Sequence, residues 1–331
     1  MVLSEYKEIV LSQVIRDKKG FSVIEPYRIP QTHGNEFVFF IKPEVTMAGD
    51  YAVSKVIDIA SSVFARNSIE ISGLFIAGNE YLKKHNLIEE HYGVINFVAK
   101  NGVSVLTNAP KERFRSEYGV GIDTVKVLGG FQFLDEYRAF TVDTLNDLWE
   151  SGNRVKLAAG IYCEKHIVKG ETIYILNGFN PYQLSFFTET GRYIIIASLF
   201  TAMDWSKMRN DIAGVTNPFK AASGSIRAEI LRTKDETGID VNPGQNGVHL
   251  SAGPFEALAE LKRFCFDKHK SVVSYDDIYT GKYLKGSGLS NDKLDRAVSN
   301  PLINYNGDSV YLYDATEEKN LSSIKLFSNL I

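Results

Sequence analysis

Cysteine is nearly absent: the 331 residues contain two, Cys163 and Cys265. Two thiols build neither a disulfide framework nor a zinc site of their own, so both read as buried free thiols in a reducing compartment. Excess charge of either sign is missing too, with 37 Lys and Arg against 40 Asp and Glu. That balance gives no general pull toward nucleic acid or an anionic membrane. Proline and glycine are not in excess, at 9 and 26 residues, so little of the chain should be disordered. Long apolar runs are lacking as well. The longest, YIIIASLFTAM from Tyr193 to Met203, is too short to span a bilayer and is rich in β-branched residues, which predicts a buried strand. The opening MVLSEYKEIVLSQVIRDKK has no basic start, apolar centre and small-residue cleavage site of the kind a signal peptide carries. These absences lead to the expectation of a cytoplasmic protein with no membrane partner.

What is present is length enough for two or three domains, and a patterned chain. Residues 3–17 predict a helix with one apolar face, and 20–34, with Pro26 and Pro30, an irregular connection. EFVFFIKPEV, Glu36 to Val45, predicts a buried strand stopped at Lys42-Pro43. A helix over 50–66, capped by Asp50, and a strand over 68–78 follow. NEYLKKHNLIEEHYGVINFVAK reads as helical. From 95 to 190 the texture changes to short strand-like runs, VSVL among them, around the helix VDTLNDLWESG, and reads as an inserted α+β module. The reading then returns to a strand at 191–201, a helix at 203–212 and a short strand at 246–251. A helix at 254–265 closes it, with Pro254 in the first turn. TNPFKAASGSIRAEIL reads as an irregular loop with a strand-like end. Five parts result: 1–35 as N-terminal helix and connection, 36–94 as first core part, 95–190 as insertion, 191–268 as second core part, and 269–331 as a C-terminal extension. In that extension SNDKLDRAVSN and SVYLYDA read as a helix and wing without a dense basic run, which argues against nucleic acid.

One stretch raises a chemical question. NGVHLSAGPFEALAELKRF, Asn246 to Phe264, puts His249 at the end of an apolar stretch before a turn, with Glu256 and Glu260 on the helix that follows. The residue is either a satisfied strand-end histidine or a nucleophile held by a carboxylate.

Four stretches together resemble the nucleoside diphosphate kinase family: FVFFIKPEV, GVTNPFKAASGSIRAEI, GQNGVHLSAGPFEALAELKRF and, more weakly, EEHYGVIN. The shared pattern is a strand ending in IKP, a G-x-T-N-P loop with Arg227 eleven residues after Thr216, and Asn246 and Ser251 bracketing His249. Glu260 stands eleven residues after that histidine. The resemblance implies a ferredoxin-like antiparallel-sheet core, here interrupted by the inserted module. It also implies ping-pong transfer of the γ-phosphate of ATP or another nucleoside triphosphate through phosphorylated His249 to a nucleoside diphosphate or related acceptor. Glu260 would orient the imidazole, and Lys42 and Arg227 would neutralise phosphate charge. Thr216, Asn246, Ser251, Tyr92 and Arg209 would contact the nucleotide, and Mg²⁺ would ride on its phosphates with no protein ligand. A homo-oligomer is also implied, with the insertion placed to alter its contacts.

The chain departs from the pattern in places. An arginine is expected six residues before Thr216, where Asn210 stands and Arg209 is one place off; in an α-helix that offset is about 100°. Leu250 replaces a glycine and Ala252 an acidic residue, and the chain is longer both before Thr216 and between Arg227 and His249. These departures fit a second function class, a catalytically inactive nucleotide-binding or scaffold protein that keeps the core.

Overall fold

Every position from Asn35 to Ile41 is buried, so this strand must be covered on both faces, and its near-continuous apolar sequence is what such a strand requires. The computed structural model describes residues 2–331. The chain is mixed α+β and divides into two compact units. One is formed by the chain up to Tyr81 together with Thr190–Ile331, the other by Leu82–Glu189. The expected N-terminal connection and C-terminal extension therefore belong to the same unit as both core parts. The second unit begins at Leu82 rather than 95, because the helical stretch after it packs with the inserted strands.

The first unit is built on a five-stranded antiparallel sheet. Its strands are β1 (Phe21–Glu25), β2 (Asn35–Ile41), β3 (Glu70–Gly78), β4 (Tyr193–Thr201) and β5 (Val248–Leu250), in spatial order β1-β3-β4-β2-β5. Side chains alternate across a strand. Phe37, Phe39 and Ile41 enter a core with Val53, Val56, Ile57, Ala60 and Phe64 of the helix Asp50–Arg66. Burying each of the larger side chains contributes roughly 1.5–3 kcal/mol. Phe40 faces the other way, toward Phe264 at the end of the helix Pro254–Phe264. Among the described residues no helix is long and apolar enough to cross a membrane.

Three local expectations are corrected. Phe21–Glu25 is a strand and not irregular, since it borrows its hydrogen-bond partners from β3, with Phe21 opposite Ala77. Ile226–Arg232 is a helix and not strand-like. Ser225 caps it by accepting from the amide of Ala228, and Ile226 and Ile230, four apart, form its buried side. VSVL is part of a 3₁₀ turn, Gly102–Val105, and not a strand.

The second unit carries a four-stranded sheet in the order Val127–Gly129, Glu171–Leu176, Ile161–Val168, Val155–Ala158. The first pair is parallel and the others antiparallel. Its faces are covered by helices that include Asn108–Tyr118, packed through Phe114, and Val142–Glu150, packed through Leu145 and Trp149. Cys163 lies in its core, and burial pushes that thiol up to about 12.

Behind the first unit's sheet, the wholly buried Glu36 ties the C-terminal region to β2. It accepts from the hydroxyl of Tyr27 and, at 2.7 Å, from the amide of Thr280. Burial pushes this carboxyl above its ordinary 4.5, with the hydrogen bonds from Tyr27 and Thr280 opposing. Between 4.5 and the raised folded value, the folded chain keeps a proton that the unfolded chain has lost. Wild-type stability therefore falls as pH rises through that window. A Glu36→Gln side chain can accept from Thr280 and donate to the Tyr27 hydroxyl, and it does not titrate. Melting curves should show the variant gaining on wild type as pH rises above about 4.5. A difference that is flat with pH would remove Glu36 as the cause.

Candidate active site around His249

β5 is only three residues long, yet it sets the site. It pairs with β2 so that His249 lies opposite Phe40, and the two rings stack at 4.4 Å with 20° between planes. Gly247 just before the strand stands at φ +84°, a conformation that favours glycine, and a Cβ there would also press on the Ile230 side chain at 2.6 Å. The helix Pro254–Phe264 then runs back past β5. Its second turn brings Glu260, 0% exposed, to His249: Nε2 lies 2.8 Å from Oε1. With Nε2–H donated to the carboxylate, the neutral imidazole carries its lone pair on Nδ1. The histidine side chain keeps 16% exposure. The reading of Glu260 as the orienting acid thus coincides with its geometry.

Ser251 has a different place from the one expected. It is fully buried, and its hydroxyl donates to Glu260 Oε2 at 2.5 Å and accepts from the amide of Val38 at 2.8 Å. It fixes the carboxylate rather than offering itself to a nucleotide. A chain from the β2 backbone through Ser251 and Glu260 to His249 results. Glu256 accepts from the amide of Ala252, so the helix's first turn supplies a carboxylate to the turn where the family pattern has an acidic residue.

Lys42 ends β2 and lies beside β5. Its ammonium donates to the carbonyl of Gly244 at 2.7 Å and to Asn246 Oδ1 at 3.4 Å, and pairs with Glu44 at 3.2 Å. Burial pushes its pKa down, Glu44 opposes the shift, and the charge of Arg227 adds to it, which places the two cations within reach of each other's field. Arg227 rises from the helix Ile226–Arg232 and donates to the carbonyls of Gly214 and, at 2.8 Å, Val248, the residue before His249. Asn246 is buried and its amide is spent on the protein: Nδ2 donates to the carbonyls of Thr216 at 2.9 Å and Pro243 at 3.3 Å. It staples the loop to Lys42, which replaces the expected contact to the nucleotide. Thr216 is exposed and enters this network through its carbonyl.

Arg209 was expected to contact phosphate despite its offset. The chain here runs from the short helix Trp205–Lys207 into π-helical turns over Met208–Gly214. A π turn holds an extra residue, so it brings a side chain one place early back toward the side an α-helix would give it. Its guanidinium, however, pairs with Glu317 and, at 3.5 Å, with Glu318 of the C-terminal region. Tyr92 lies in the other compact unit, where its ring packs edge-on against Phe187 at 6.0 Å, which makes it part of that unit's packing.

The structure therefore groups His249, Glu260, Ser251, Lys42, Asn246, Thr216 and Arg227 along β5. Glu44 joins them unforeseen: it holds Lys42 and accepts from the amide of Gly247 at 2.8 Å. Its signal was the position two residues after the lysine, at the first turn of the helix Pro43–Met47, where a carboxylate is favoured. Glu317 and Glu318 gave no sequence signal, since nothing local links them to Arg209. A scan against protein-family models returns no match, and no curated protein matches the sequence.

Proposed function

We propose that this protein is a nucleotide-dependent phosphotransferase of the nucleoside diphosphate kinase type, acting through phosphorylated His249. The observation that carries the reading is the buried chain Ser251–Glu260–His249. A buried carboxylate is costly unless satisfied, and here one oxygen holds the partly exposed imidazole and the other is held by Ser251. The strand order supports the same reading. Without β1 it is β3-β4-β2-β5, with helices after the first and third strands in sequence, the arrangement of a ferredoxin-like sheet.

The step balances without a proton leaving the ring. The Nδ1 lone pair forms a bond to the γ-phosphorus as the bond to the β–γ bridging oxygen breaks, and the nucleoside diphosphate departs. The ring becomes an N-phosphoryl imidazolium, and Glu260, already on Nε2–H, stabilises that charge. An oxygen of the second diphosphate then takes the phosphoryl group and restores the neutral imidazole. Lys42 and Arg227 supply the positive charge that spreads over the phosphoryl oxygens. Lys42 and Arg227 carry positive charge beside β5, with Glu44 engaged on Lys42 and Glu260 on His249, and such cations suit phosphate oxygens. Mg²⁺ fits as a passenger on the nucleotide, where it neutralises phosphate charge.

The test is incubation of the whole chain with γ-labelled ATP and Mg²⁺ in the absence of acceptor. Label that is lost in acid, survives alkali and maps to the peptide containing His249 is the expected result. Acid-stable label, or label on another peptide, would sink the assignment. A nucleotide-binding protein without turnover is the second reading. It is favoured by the internal ties on Lys42 and Arg209, and it predicts bound nucleotide with no label.

A further inference from the structure

The residues between Thr316 and Leu321 are anchored through their backbone and carry two partly exposed carboxylates. Thr316 and Leu321 are buried, whereas the side chains of Glu317 and Glu318 keep 48% and 35% exposure. The backbone is fastened beside the turn that follows His249. The amide of Glu318 donates to the carbonyl of Ala252 at 2.9 Å, and Gly253 lies so close to the Thr316 carbonyl that a Cβ would meet it at 2.7 Å. Asn320 accepts from the amide of Trp205 at 2.8 Å, and the Trp205 indole donates to the carbonyl of Ser251 at 3.1 Å. Glu318 is held at φ +57°, a conformation costly for a side chain other than glycine that persists only where its surroundings impose it. The result of this effort is two carboxylates facing one guanidinium. Arg209 pairs with both, and Asn210 donates to Glu318 at 3.4 Å.

Charge shows why this matters. Lys42, Arg227 and Arg209 are cations of the region, and Glu44, Glu256, Glu260, Glu317 and Glu318 are carboxylates of it. A region in which carboxylates outnumber cations repels a polyphosphate. We propose that Glu317 and Glu318 are specificity-determining residues of this site. They hold Arg209 in the unliganded protein and yield it to phosphate oxygens on binding. Their remaining charge disfavours a polyphosphate that lacks a bound divalent cation. The exchange needs only side-chain rotation, because the anchors at Thr316 and Leu321 stay in place. This inference rests on the phosphotransferase reading only in taking a nucleoside polyphosphate as the ligand.

The test measures nucleotide dissociation constants by calorimetry, with and without Mg²⁺, on the full chain. Four forms are compared: wild type, the double variant Glu317→Gln with Glu318→Gln, Arg209→Ala, and all three substitutions together. The double variant is expected to bind ATP about tenfold more tightly, with the larger gain for ATP free of Mg²⁺. Compared with Arg209→Ala alone, the triple variant should keep only the smaller part of that gain that comes from removing the carboxylate charge, and higher salt should shrink it. Equal affinity in wild type and double variant overturns the inference while leaving the phosphotransferase reading intact. A gain undiminished by Arg209→Ala overturns it too, since the carboxylates would then not act by holding Arg209. Absence of ATP binding in every form overturns both readings together. Binding by the double variant alone supports the inference in its strongest form, a site closed by these two carboxylates. Glutamine is an uncharged isostere of glutamate, and unchanged melting temperatures across the four forms would exclude misfolding.

Discussion

His249→Ala is expected to carry no acid-labile label after incubation with γ-labelled ATP, and Glu260→Gln to label more slowly by about 10²–10⁴-fold. The glutamine keeps the shape of the carboxylate, so the difference isolates charge and hydrogen-bond sense. An amide can still accept from Nε2–H, but it cannot balance the imidazolium that forms as the N–P bond closes. Its NH₂ would also face the Ser251 hydroxyl, which now donates to Glu260 Oε2. Rapid-quench labelling at saturating nucleotide reads the effect, and nucleotide affinity should change little, because Glu260 is buried beneath the histidine. Normal labelling in Glu260→Gln would mean that the carboxylate serves only packing. Normal labelling in His249→Ala would end the proposed chemistry.

Phe40→Ala is expected to destabilise the first unit by about 3–5 kcal/mol, the usual cost of emptying a large aromatic site in a core. Phe40 has no exposure, sits in the strand buried on both faces, and packs against Phe264 at 6.2 Å. Its ring also floors His249, so the cavity lies directly under the imidazole. Phe40→Leu restores most of the volume and should recover most of the stability, but not the flat stacking surface. Denaturant midpoints give the first quantity and labelling rates the second. A stable Phe40→Leu with a slowed labelling rate would separate support of the ring from support of the fold. A midpoint for Phe40→Ala unchanged from wild type would contradict the burial on which the argument stands.

The elements legible in the sequence were those whose own residues decide their fate. The strand Asn35–Ile41, the helix Asp50–Arg66 and the helix Pro254–Phe264 each carry dense apolar patterning and a marked beginning or end. Phe21–Glu25 was missed because it is half-buried at every position, an edge strand defined by its neighbour β3 and not by alternation. Asn108–Tyr118 was missed because only Pro110 and Phe114 of its eleven residues are buried, so its helical period barely shows in hydrophobicity. The site divides in the same way. Spacing anticipated His249 with Glu260, since eleven residues across a turn and a helix fix their meeting. It could not anticipate that Ser251 and Asn246 turn inward, or that Glu317 and Glu318 reach Arg209 from more than a hundred residues away, because those facts depend on what the fold places opposite each side chain.

The pairing of β3 with β4 has a consequence for how such a chain is assembled. Gly78 stands opposite Tyr193, and the amide of Asn79 donates to the carbonyl of Arg192 at 2.9 Å. The whole Leu82–Glu189 unit is therefore carried between two neighbouring rungs of one hairpin. Seen from the sheet, it is a long turn. Closing such a turn costs only about 0.6 kcal/mol for each doubling of its length, roughly 3 kcal/mol more than a four-residue turn. The strands Glu70–Gly78 and Tyr193–Thr201 thus stay paired up to the point where the whole second unit enters and leaves the chain.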